Sequence, residues 1–154
     1  MRRHHLINLT SLSNKKCQGL TPKKVHYTFI LQGNFSTKIE AVVRRILWIQ
    51  QEQPKAKTLV FSTWTNVLKV IGQALSVNNV EFKSLAGAHP KQFERSLTFF
   101  KENEICNVLL LPLHSGAKGL NIIEASHVIL TEPALNPSDE LQAVGRVHRI
   151  GQDK

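Results

Sequence analysis

Residues Val108, Leu109, Leu110 and Leu111 follow one another with no polar break. A strand with one wet face alternates apolar and polar residues. A short unbroken run, entered here through Asn107, reads instead as a strand buried on both faces, the mark of a parallel sheet covered by helices on either side. Residues 127–131 have the same character, and residues 58–62 form a third β-branched and aromatic run. A fourth, shorter strand is expected at residues 82–85.

Between these runs the period changes from two to 3.6. Thr37 followed by Glu40 has the spacing of a capping box. Ile39, Val42, Val43, Ile46 and Leu47 then form one apolar stripe that Pro54 ends. Thr63 is placed to cap a second helix carrying Val67, Leu68, Ile71 and Leu75, closed by Asn78 and Asn79. A turn at residues 87–90 leads into a third helix with Phe93, Leu97 and Phe100 inward. Asn136 is placed to cap a last helix with Pro137 at its first position. Strands and helices alternate, so the expected fold is α/β, with a mostly parallel sheet and helices on both faces.

The 154 residues suffice for one ordinary domain with a real core, and 42% apolar content argues against disorder. Two cysteines, Cys17 and Cys106, make neither a zinc pattern nor a disulfide framework, which suits a reducing compartment. No apolar run approaches the roughly 18 residues of a membrane span, and the amino terminus has no continuous apolar signal core. The net charge of +9 is unevenly placed. Before Thr58 stand eleven Lys and Arg against Glu40 and Glu52; from Thr58 onward nine basic residues balance nine acidic ones. Any non-specific attraction to phosphate therefore begins in the first third of the chain. Residues 1–34 read as a basic leader, disordered or contributing an edge strand near residues 25–31, and residues 35–154 as the folded domain.

In sheets of this kind ligands gather beyond the carboxyl ends of the strands. Three segments fall there: Leu59-Val-Phe-Ser62-Thr63-Trp64, Leu110-Leu-Pro-Leu-His114-Ser115-Gly116-Ala-Lys-Gly119-Leu-Asn121, and the turn from Thr131 to Pro137. Hydroxyls at a strand end and a helix amino terminus can hold a phosphate, although Ser62 and Thr63 taken singly are explained as well by helix capping. A glycine-containing loop lets backbone amides approach phosphate or ribose oxygens; a plain turn explains it equally. The last helix, Gln142-Ala-Val-Gly-Arg146-Val-His-Arg149-Ile-Gly-Gln152, is the most informative. Gln142, Arg146 and Arg149 fall within roughly 60° of one another on a helical wheel, opposite Leu141, Val144 and Val147. Two guanidinium groups a turn apart can neutralise charge on a transferring phosphoryl group. Gly145 between them costs about 1 kcal/mol of helix propensity, which makes sense where something approaches closely. Solvated arginines on a surface helix are the plainer alternative. His127 and His148 read as packed or exposed side chains, and Trp48 and Trp64 as anchors at the core edge.

In this order the segments resemble the later helicase motifs of Swi/Snf-type ATPases, superfamily-two translocases. Residues 59–64 are similar to motif four, 110–121 to motif five, and 142–152 closely to motif six; residues 36–45 resemble the first helix of the same lobe. The likeness runs from about Phe35 to Asp153. It implies the second RecA-like lobe, a three-layer P-loop NTPase-like sandwich without its own Walker A loop. It further implies that Arg146 and Arg149 act as arginine fingers, with Gln142, Gly119 and Asn121 near the nucleotide. Ser62, Thr63, Trp64, His114, Ser115 and Gly116 would track the DNA backbone. Gly145 in place of an acidic residue, His114-Ser115 in place of Lys-Ala, and Glu132-Pro-Ala-Leu-Asn136-Pro in place of Asp-Pro-Trp-Trp-Asn-Pro resemble the SHPRH branch, ubiquitin ligases built around a Swi/Snf motor. The lost tryptophans remove any aromatic stacking at Ala134 and Leu135.

No Gly-x-x-x-x-Gly-Lys-Ser/Thr loop occurs in the chain, and the one Asp-Glu pair, Asp139-Glu140, stands in the expected last helix and not at the end of a strand where it would hold magnesium. The resemblance therefore implies ATP and Mg2+ held mainly by a first lobe, and a chain that is inactive alone within a DNA-dependent ATPase. It also implies duplex DNA or a nucleosome as partner, a nuclear location, a role in chromatin or DNA repair, and no metal of its own. A monomer is expected. Two other readings stand beside it: an α/β module binding nucleic acid or protein without catalysis, through Lys15, Lys16, Lys23 and Lys24, and a fragment without independent activity.

Overall fold

The computed structural model describes residues 5–8, 29–113 and 122–133. Within them five strands, β1 (His5–Asn8), β2 (Lys57–Ser62), β3 (Phe82–Ser84), β4 (Val108–Pro112) and β5 (Ala125–Leu130), form one sheet in the order β1-β5-β2-β4-β3. Every pairing is parallel. Three helices accompany them: α1 (Thr37–Glu52), α2 (Thr65–Val77) and α3 (Pro90–Glu102).

The alternation of β2, β4 and β5 sorts their side chains onto two cores. Val60, Val108, Leu110 and Ile129 face one way, against Ile39, Val42, Val43, Ile46 and Ile49 of α1 and Leu68, Ile71, Ala74 and Leu75 of α2. Leu59, Phe61, Leu109, Leu111, Val128 and Leu130 face the other, where Phe100, Phe93 and Leu97 of α3 cover them. The chain steps outward from β2 to β3 over α2 and back to β4 over α3. Crossovers of one hand run in opposite directions must lie on opposite faces, and the helices do.

α2 ends in a Schellman motif. The Asn79 amide donates to Ser76 O at 3.1 Å and the Val80 amide to Leu75 O at 3.0 Å, while Asn79 takes φ +57°. Asn tolerates the left-handed region better than other residues with a side chain, and Val80 and Leu75 then meet in the same core.

Three local expectations change. The capping box at α1 does not form: Ser36 is the N-cap, no side chain caps the helix, and the Glu40 carboxylate lies 3.8 Å from Arg44, one turn along. Trp64, not Thr63, is the N-cap of α2, and no side chain caps that helix. Among the described residues the strand beside β5 is His5–Asn8; residues 29–31 of the strand expected at 25–31 are not in the sheet, and residues 25–28 lie outside the described residues. The register of β1 runs from His5 opposite His127 through Asn8 opposite Leu130, and its four residues are too few to show a period in the sequence. Residues 29–31 run instead beside the helices: Phe29 O accepts from Arg44, Gln32 exchanges hydrogen bonds with the Asn78 side chain at 2.9 and 3.2 Å, and Leu31 and Phe35 pack on the α1–α2 core.

Candidate functional site

β2 lies between β5 and β4, so its carboxyl end borders two strand ends. Ser62, the last residue of β2, is buried at 1% exposure. Beside it the β5 ladder continues into its turn: the Thr131 amide and hydroxyl both donate to Phe61 O at 3.0 Å.

The next residue, Glu132, is the centre of this edge. Its carboxylate accepts from the Ser62 hydroxyl at 3.0 Å, from the Thr63 amide at 3.2 Å and from Lys38 Nζ at 3.0 Å. The Ser62 oxygen in turn accepts from the Trp64 amide at 3.1 Å. Three elements, the first turn of α1, the end of β2 and the turn after β5, therefore converge on one carboxylate. Burial pushes the Glu132 carboxyl up, but hydrogen bonds from Lys38, Ser62 and Thr63 outweigh it and hold the group below the usual carboxylate range. The Glu132 side chain is 15% exposed and that of Lys38 43%, so Lys38 is half in solvent and contributes as a partly screened charge.

This arrangement reassigns the donors of the loop. The Ser62 hydroxyl, expected to face a phosphate, is engaged by Glu132, as is the Thr63 amide. Trp64 does not anchor the core edge; its side chain is 64% exposed. The Trp64 ring lies open to solvent at the amino terminus of α2. Trp48 does pack at the core edge, with Arg45 stacked 4.1 Å over its ring. His127 is buried, with its Nδ1 3.0 Å from the Ser126 hydroxyl.

His114, Ser115, Gly116, Gly119, Asn121, Gln142, Arg146 and Arg149 lie outside the described residues. Glu132 and Lys38 were not among the sequence candidates. An acidic residue directly after a buried strand, at the ligand edge of a parallel sheet, is the signal that could have found the first; Lys38, 94 residues away, leaves none.

Against models of protein families, residues 37–151 match the helicase conserved C-terminal domain. The chain belongs to that family. Over 157 aligned residues it is 56% identical to the E3 ubiquitin-protein ligase SHPRH of Homo sapiens, covering 92% of this chain and 9% of that protein. It is 38% identical to the DNA repair protein rad5 of Neurospora crassa, over 92% of this chain and 12% of that one. The chain thus spans about a tenth of the length of these relatives. Among solved structures, the C-terminal part of the Fun30 ATPase domain superposes with a TM-score of 0.70 at 30% identity, covering 77% of this chain and 38% of that one. The Hef helicase domain of Pyrococcus furiosus, at 23% identity and a TM-score of 0.60 over 72% of this chain and 22% of that one, shares the fold. The RecA-like architecture and the likeness to SHPRH are as the motifs implied. Among the described residues, no helix is long and apolar enough to cross a membrane.

Proposed function

We propose that this domain is the second lobe of a DNA-dependent ATPase of the Swi/Snf type, working on chromatin or in DNA repair inside the nucleus, within a monomeric protein that is also a RING-type ubiquitin ligase. The observation that carries the reading is the meeting of β2 and β5 at one edge, where Glu132 ties residues 62–64 to the turn leading toward Gln142, Arg146 and Arg149. In a parallel sheet that edge is where ligands bind. The family match and the likeness to SHPRH and rad5 support the same assignment.

ATP would lie between this lobe and a first lobe, with Gln142, Gly119 and Asn121 near the nucleotide and Arg146 and Arg149 closing on its γ-phosphate. Guanidinium groups suit that position because they stay charged and present a planar fork to phosphate oxygens. Magnesium fits poorly on the described edge: the one carboxylate there, Glu132, is already satisfied by three donors, and among the described residues no three His, Cys, Asp or Glu side chains cluster. The ion belongs with the first lobe, where it would neutralise phosphate charge. Trp64, with Ser62, Thr63, His114, Ser115 and Gly116, would follow the backbone of duplex DNA, and lobe closure would advance the motor along it.

The test is DNA-stimulated ATP hydrolysis by the intact two-lobed protein. Arg146→Ala and Arg149→Ala should each lower kcat by at least about a hundredfold, within the range for arginine fingers, with nucleotide affinity much less affected. Full turnover in either variant would favour a binding module without catalytic arginines.

A further inference from the structure

Glu132 has a use beyond holding the fold together. A carboxylate at the rim of a surface that binds phosphate is an electrostatic disadvantage, since like charges repel. Placed there, it needs a compensating reason. Its contacts supply one: it takes two donors at and just past the end of β2, the Ser62 hydroxyl at 3.0 Å and the Thr63 amide at 3.2 Å. Through the Ser62 oxygen it also fixes the Trp64 amide at 3.1 Å, and hence the residue that opens α2 and carries the exposed ring. Lys38, 3.0 Å away, offsets the charge. In the chain Glu132 comes just before residues 134–154, the segment expected to carry the nucleotide contacts.

We propose that Glu132 is a positioning residue: it sets the place of residues 62–64 against the turn after β5 and so couples duplex DNA to nucleotide turnover, without touching either ligand. The inference rests on the function proposed above and adds to it a residue and a role. It differs from a purely structural tie in what it predicts. A structural tie affects only stability; a positioning residue affects how much DNA is needed to stimulate hydrolysis.

The experiment uses the intact protein with Glu132→Ala, Glu132→Gln and Lys38→Met. Amide exchange is followed by mass spectrometry over residues 61–66, and ATP hydrolysis is titrated with duplex DNA. In Glu132→Ala the Thr63 and Trp64 amides should exchange about tenfold faster as the loop opens locally. The DNA concentration for half-maximal stimulation should rise about fivefold or more, the size of an ordinary coupling between sites, while kcat at saturating DNA changes less. Glu132→Gln keeps an acceptor oxygen and should recover part of both effects; Lys38→Met, which spares the loop contacts, should show the smaller change and serves where Glu132→Ala does not fold. Faster exchange with an unchanged DNA requirement overturns the coupling role, and unchanged exchange overturns the positioning role. A wild-type protein that DNA does not stimulate overturns the functional reading and the coupling with it, and the exchange measurement alone then decides whether Glu132 holds the loop.

Discussion

The Lys57 ammonium lies 4.9 Å from the centroid of the Phe100 ring, tucked under the last turn of α3. It donates to Phe100 O, to Lys101 O at 2.8 Å and to Asn103 O at 3.2 Å, satisfying carbonyls that the end of a helix leaves unpaired. Burial pulls the Lys57 pKa below its usual value, against the opposing fields of Cys106 and Glu124. Charge, ring and carbonyls thus bind β2 to α3 across the second core.

Replacing Lys57 by Met keeps the aliphatic stem and removes every donor. The expected loss is about 2 kcal/mol, typical where a charged hydrogen-bonding partner disappears. Urea unfolding should show a lower midpoint at unchanged slope. Combined with Phe100→Leu, the two changes should fail to add, because they share one contact.

The depressed pKa of Glu132 makes stability depend on acid. As pH falls, the unfolded chain takes up the proton first, near the usual carboxylate value of about 4.3. The contribution is therefore complete above that value and is lost as pH drops through the lower folded-state pKa. Glu132→Gln should flatten this acid limb, measured as urea midpoints between neutral pH and about pH 3.

Gly72 is a glycine within α2 that helix propensity alone would not choose. A Cβ there would stand 3.0 Å from two atoms of the Phe82 ring and 3.6 Å from Leu110. Helix and edge strand approach this closely because the side chain is missing. Gly72→Val should therefore destabilise the domain by about 1–3 kcal/mol through overpacking, and Phe82→Leu should return part of the loss. Thermal unfolding of the two single variants and the double variant checks both statements.

Trp64 offers a cleaner separation of stability from binding. With 64% of its surface in solvent, Trp64→Ala should leave stability within about 0.5 kcal/mol. If the ring stacks on or packs against nucleic acid, DNA binding should weaken by about 1–3 kcal/mol. Calorimetric unfolding and fluorescence-anisotropy titration of labelled duplex provide the two readings.

The parts of this fold that sequence exposes are those that bury continuous apolar surface. The run ending at Leu111 and the stripe from Ile39 to Ile46 lie in the two cores as patterned, and Asn79 turns the end of α2 as its chemistry suggests. Caps are harder to read, because a capping side chain has competitors. Glu40 stays beside Arg44, and Trp64 stands at the N-cap of α2 in place of Thr63. β1 is hardest of all: four residues are too few to leave a periodic trace. At the site, residue types at strand ends indicate where to look. They do not indicate that Glu132 has already claimed the donors of Ser62 and Thr63, since only the alignment of β2 with β5 brings those groups together.

That alignment has a mechanical consequence. β4 and β5 share no ladder; β2 stands between them, with Val60 opposite Leu110 on one side and Ile129 on the other. Within the sheet, a pull applied beyond β4 reaches the turn beyond β5 only by passing along the six residues Lys57–Ser62. Among the described residues, β2 is thus the one strand through which a displacement at the end of β4 passes to the end of β5 within the sheet.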